Sequence, residues 1–133
     1  MSRGRDARLR DRGTATVEFA LVVPLLLLLV FGIIDFGRMA SDHVQLTAAA
    51  RAAALAGAAR ASFGTASTAA NNAFPGGGVT ITNYNRCPTN PAPGSAAQVT
   101  VTYKFTFATP FAALAKLGSN PTMTAQAAAP CRG

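Results

Sequence analysis

Sixteen consecutive residues without a charge, Phe19 to Ile34, constrain this chain more than anything else in it. As a helix the run Phe19-Ala20-Leu21-Val22-Val23-Pro24-Leu25-Leu26-Leu27-Leu28-Leu29-Val30-Phe31-Gly32-Ile33-Ile34 is about 24 Å long. Extended back to Thr14 it reaches about 31 Å, the thickness of a bilayer core. Five arginines (Arg3, Arg5, Arg8, Arg10 and Arg12) precede it, and only Arg38 and Arg51 follow at comparable distance. The positive-inside rule therefore predicts a single-pass protein of the inner (cytoplasmic) membrane, with a cytoplasmic N-terminus and an extracytoplasmic C-terminal part. A cleaved secretory signal also has a basic start and an apolar run. A cut after Ala40 would, however, put Arg38 where a small residue is required. The chain has 133 residues, half of them hydrophobic and only 13% charged, so it is not one evenly built soluble globule.

Glu18 must enter the bilayer with the apolar run if Thr14–Ile34 is to cross. An acid at mid-membrane costs about 2.5–3.5 kcal/mol on insertion scales, and less near the edge, so it calls for a partner. If the chain is cut between Gly13 and Thr14, Thr14 gains an α-amino group and Glu18 becomes the fifth residue. Positions i and i+4 share a helix face, so the two charges can pair within one chain. They can also pair between chains packed with a small axial stagger. An unpaired buried charge is expensive, so pairing between chains would penalise the wrong register. The plainer reading is a single-pass anchor with a chance glutamate at its boundary.

Arg12-Gly13, four intervening residues, then Glu18-Phe19 and a long apolar helix resemble a type IV pilin-like (class III) signal. The string Gly13-Thr14-Ala15-Thr16-Val17-Glu18-Phe19-Ala20-Leu21-Val22-Val23-Pro24-Leu25-Leu26, followed by Gly32-Ile33-Ile34-Asp35-Phe36-Gly37-Arg38, resembles the TadE family. These are minor pseudopilins of the tight-adherence (Tad/Flp) pilus system. The resemblance is dense over residues 13–60 and looser beyond. It implies cleavage after Gly13 by a membrane-embedded aspartic prepilin peptidase, with Glu18 in the acidic position of pilins. It also implies other pilins or pseudopilins and the Tad membrane assembly proteins as partners, besides membrane lipid. The family's major pilins have tyrosine after the glutamate; Phe19 stands there, which suits a minor component.

Beyond Ile34 nothing forces the helix to stop before Pro75, and a membrane and stalk helix is expected over about Thr14–Ala61. Asp35, Arg38 and Asp42 share a face, and Arg38 can bridge both acids. The functional reading seats neighbouring subunits there; the favoured one is a solvated face. Val44, Ala48, Arg51, Leu55 and Ala58 trace one side of the stalk, and Leu46, Ala50, Ala53 and Gly57 another. Small residues let helices pack closely, but ten arginines against two lysines also fit a coding bias, so the alanines carry little weight here.

The C-terminal part reads as β-rich. A turn cluster over Asn71–Gly78 precedes a strand at Val79–Tyr84. Residues 87–95 form a loop. Val99, Val101, Tyr103, Phe105 and Phe107 alternate with polar residues as a half-buried strand. Phe111–Leu117 is a short helix with Pro110 before it and Gly118 at its end. Thr122–Ala127 is a last strand. The expected fold is α+β: a long N-terminal transmembrane and stalk helix packed on a small antiparallel sheet, as in pilins. The expected organisation is a basic leader (1–13), a transmembrane helix (14–34), a stalk and turn (35–77) and an outer β-rich domain (78–133).

Cys87 and Cys131 both fall on the outer side, where an oxidising compartment favours a disulfide; two free thiols are the alternative. With one histidine, His43, and cysteines far apart, no metal or cofactor is expected. Ser41-Asp42-His43 holds triad residue types, but neighbours on a helix point about 100° apart and cannot hydrogen-bond in series. No enzyme activity is expected. Nucleic acid is not an expected partner either: removing residues 1–13 takes +3 from a net charge of +7 and leaves no basic cluster.

Overall fold

The computed structural model describes residues 4–132 apart from 115 and 119, with side-chain surroundings from residue 13 onward. A helix, α1 (Gly4–Ala58), is followed by α2 (Phe63–Ala73), β1 (Thr80–Asn85), β2 (Ala96–Lys104), the one-turn α3 (Phe111–Leu114) and β3 (Thr122–Pro130). The strands form an antiparallel meander in the order β1-β2-β3, so β2 is central. The long helix packed on a small three-stranded antiparallel sheet is the α+β architecture expected from the sequence.

Of the two sides of the stalk, the one carrying Leu46, Ala50 and Ala53 is buried, and Ala49 and Ala54 join it. Gly57 is buried on the same side. Val44 and Leu55 on the other side remain exposed. The alanines discounted as coding bias are thus the packing surface. β3 answers them with Ala125 and Ala129, set across from Val101 and Ala97 of β2. With small side chains on both layers the helix and sheet approach closely. A Cβ added at Gly57 would meet that of Ala97 at 3.1 Å. Larger side chains close the ends of this layer: Phe74 packs at 4.6 Å between ring centroids on Tyr103, and Phe105 is fully buried.

The stalk helix ends at Ala58, not Ala61. Arg60 adopts φ 61°, and its amide and that of Ala61 donate back to the carbonyls of Gly57 and Ala56. This pair of bonds is a Schellman end, here with arginine in the left-handed position that usually takes glycine. Ser62 then accepts a hydrogen bond from the Thr65 amide at 3.2 Å and starts α2, a helix the sequence analysis had not separated from the stalk. Asn71–Ala73, expected in a turn, close α2, and the Asn71 amide group ties the helix to Val79 at the entry to β1.

The central strand runs Ala96–Lys104 rather than Val99–Phe107. It ends where its partner ends: the Phe105 amide donates to Pro121, and β3 begins at Thr122. Phe107 therefore leaves the sheet, packing edge-on against Phe105. β3 continues to Pro130, three residues beyond its expected end. Helix α3 stops at Leu114; the reversal falls on Lys116 (φ 51°), before Gly118.

Cys87 and Cys131 are joined as a disulfide across 44 residues of sequence. A loop of that length is worth about 4 kcal/mol in the chain-entropy model. Replacing both cysteines by serine should lower the unfolding free energy of the sheet region by up to that amount while leaving its β content unchanged, measured by denaturant titration in detergent with circular dichroism. A variant as stable as the native chain would remove the bridge from the set of stabilising contacts.

Candidate functional site

Among the described residues, none of α1 from Gly13 to Ile34 is buried by the rest of the chain. Over Gly13–Ala58 the helix is long and apolar enough to cross a membrane, and none of its most apolar 18-residue window is buried. Phe19, Leu21 and Leu25 are each 70% or more exposed. Gly13, Thr14, Glu18 and Phe19 lie exposed along this bare helix. Among the described residues Glu18 makes no ion pair; the charged pair present is Asp35 with Arg38. Gly13 is helical, and a Cβ added to it would meet nothing within 4 Å. A helical glycine costs about 1 kcal/mol relative to alanine, and no packing contact requires it here. Arg5, Arg8, Arg10 and Arg12 lie outside the residues whose side chains are described, and Arg3 outside the described residues altogether.

The juxtamembrane triplet does not behave as one solvated face. Asp35 is 1% exposed. One carboxylate oxygen accepts from the Ala108 amide at 3.1 Å, the other from the Thr109 hydroxyl. Arg38 approaches at 3.9 Å with its side chain half in solvent, and its guanidinium also stands 5.7 Å from the centre of the Phe105 ring. Asp42 is half-buried and joins no ion pair among the described residues. The helix periodicity brings Arg38 to Asp35, while Asp42 forms no ion pair with Arg38. It could not show that residues 108–109, more than seventy positions away, return to Asp35.

This contact brings the segment between β2 and β3 down beside the apolar run. Phe111 rests on Gly32, where an added Cβ would lie 3.3 Å from its ring. Between them runs an apolar groove of about 870 Å³, walled by Leu25, Leu29 and Phe36 of α1 and by Phe107, Phe111 and Leu117 of the segment. The sheet and its connections thus do not stand clear of the apolar helix. They hold α1 at two levels: through Asp35 near the run, and through Gly57 at the far end, whose carbonyl accepts from the Cys87 amide at 3.1 Å. His43 and Ser41 are exposed, away from that contact.

Asp35→Ala should cost about 1.5–3 kcal/mol, because it removes the buried, charged acceptor of the Ala108 amide and the Thr109 hydroxyl. The diagnostic measurement is amide hydrogen exchange. Residues 106–112 should lose protection while β2 and β3 keep theirs; an unchanged exchange profile would show that Asp35 does not hold the segment.

No curated protein and no solved structure matches the chain. A family model described as TadE-like protein matches residues 13–55, which hold Gly13, Glu18, the apolar run, Asp35 and most of the buried alanine face. The match covers the region where the resemblance was densest and stops before α2 and the sheet. Over residues 13–55 this chain is similar to the TadE-like proteins.

Proposed function

We propose that this chain is a non-enzymatic minor pseudopilin that takes part in assembling a Tad/Flp-type pilus. A prepilin peptidase removes the leader between Gly13 and Thr14. The mature protein sits in the cytoplasmic membrane as a single span, with residues beyond about 35 outside, and associates laterally with other pilins or pseudopilins and the Tad assembly proteins through its N-terminal helix. Glu18 sets the axial position of each subunit by pairing with a neighbour's Thr14 amine.

One observation carries this reading. The TadE-like match begins at Gly13, a glycine that local packing does not explain, five residues before an acid on a helix whose most apolar stretch is not buried in the chain. A bare helix of this kind needs lipid, other helices, or both. The exposed side of the stalk at Val44 and Leu55 extends the available surface beyond the membrane. The competing reading, an unprocessed anchor displaying a small outer binding domain, leaves Gly13 without a role.

Two measurements test the proposal. Intact mass of the protein recovered from membranes should begin at Thr14 in cells with the peptidase and at Met1 in cells lacking it. The full-length species alone in both would establish the anchor reading instead. Glu18→Ala should leave membrane insertion intact and reduce crosslinked or co-purified assemblies by tenfold or more, since one buried charge is worth at least about 1.4 kcal/mol of register. Unaltered assembly would take the register role away from Glu18.

A further inference from the structure

We infer that the segment joining β2 to β3, residues 107–118, is a second membrane contact that seats its apolar side chains in the outer face of the bilayer beside α1. This rests on the reading that Thr14–Ile34 crosses the membrane. Gly32, on which Phe111 rests, lies two residues inside the outer end of that span, about 3 Å along the helix axis. The groove between segment and helix reaches down to Leu25, about 14 Å below that end. Its lower wall therefore lies at the depth of lipid chains, and lipid is the occupant its position dictates.

The segment has the composition such a place requires. Between Phe105 and Cys131 its only charge is Lys116, and no acid is present. A lysine beside an apolar stretch can keep its stem in the apolar layer and its ammonium at the headgroups. Leu114 and Leu117 are 61% and 54% exposed, a poor arrangement in water next to an exposed leucine run. Irregular backbone is tolerated at the edge of a membrane only where its polar groups are satisfied. Here the amides of Ala108, Phe111, Leu114, Lys116 and Leu117 all donate, to Asp35, Thr109, Pro110, Ala113 and Ala112 respectively. Asp35 thereby does more than fill a buried position. It satisfies the entry to the segment at the level where water gives way to hydrocarbon.

The chain has no tryptophan, so one introduced residue reports its own surroundings. The full chain would be reconstituted in vesicles of phosphatidylcholine and phosphatidylglycerol, with and without brominated phosphatidylcholine, carrying Leu114→Trp, Leu29→Trp or Val44→Trp. Leu114 is exposed, so its replacement does not disturb the core; Leu117→Trp serves as a second probe of the segment. The expected result is a blue-shifted Leu114→Trp emission that loses roughly half its intensity to brominated lipid, more with bromine near the headgroup than deep in the chain. Val44→Trp should remain unquenched. If Leu29→Trp is quenched and the segment probes are not, the inference is overturned while the membrane span stands. If Leu29→Trp is itself unquenched, the span reading fails and the inference with it. A blue-shifted but unquenched Leu114→Trp, whose shift disappears on dilution into excess lipid, would assign the groove to a second copy of the chain and likewise overturn the inference.

Discussion

The close approach of α1 to the sheet is the constraint on which the rest of the structure depends. Three strands cannot bury an apolar face alone. This sheet is covered by a helix whose contact face is almost all alanine, with Gly57 where the approach is closest. Each alanine buries little area, so stability comes from many short contacts and a few large plugs, Leu46, Phe74 and Phe105 among them. Enlarging one of these small residues would push the layers apart along several turns, because packed interiors transmit strain. The same geometry explains why Tyr84 and Cys87 can reach the end of the helix, where they donate to the carbonyls of Ala61 and Gly57.

A second constraint is electrostatic. Asp35 is the one buried charged residue among those described, and it stands where the apolar run ends. Burying a carboxylate is tolerable only with donors around it. Ala108 and Thr109 supply them from one side, and Arg38 adds a weaker contact from the other. The apolar run, the residue that ends it and the segment that returns to that residue consequently form one unit, although they lie far apart in sequence.

Much of this was legible in the amino acids. The charge-free run, its arginine-rich approach, the spacing of Gly13 and Glu18, the two cysteines and the alternation through Val99–Val101–Tyr103 are local signals, and local signals survive without knowledge of the fold. The errors share a cause. Arg60 and Lys116 turn two helices with left-handed backbone that glycine would have advertised, so the breaks at Ala58 and Leu114 were invisible. Ser62 followed by Thr65 was a readable helix start, obscured by the alanine tract before it. The retreat of Phe105 and Phe107 from the strand depended on where Pro121 ends the neighbouring one. The burial of Asp35 depended on a contact spanning half the chain. The alanines were misjudged because composition cannot distinguish a mutational habit from a packing surface until something is seen lying against them.

The two fastenings of the C-terminal part to α1, at Asp35 and at Gly57, are twenty-two residues and about 33 Å apart on a single unbroken helix. A body pinned to a shaft at both ends has no freedom to swivel around it. Whatever angle α1 takes about its own axis, the disulfide-closed sheet must take as well. Two copies that settled how their helices face one another would therefore also settle the azimuth of their sheets, without any contact between the sheets.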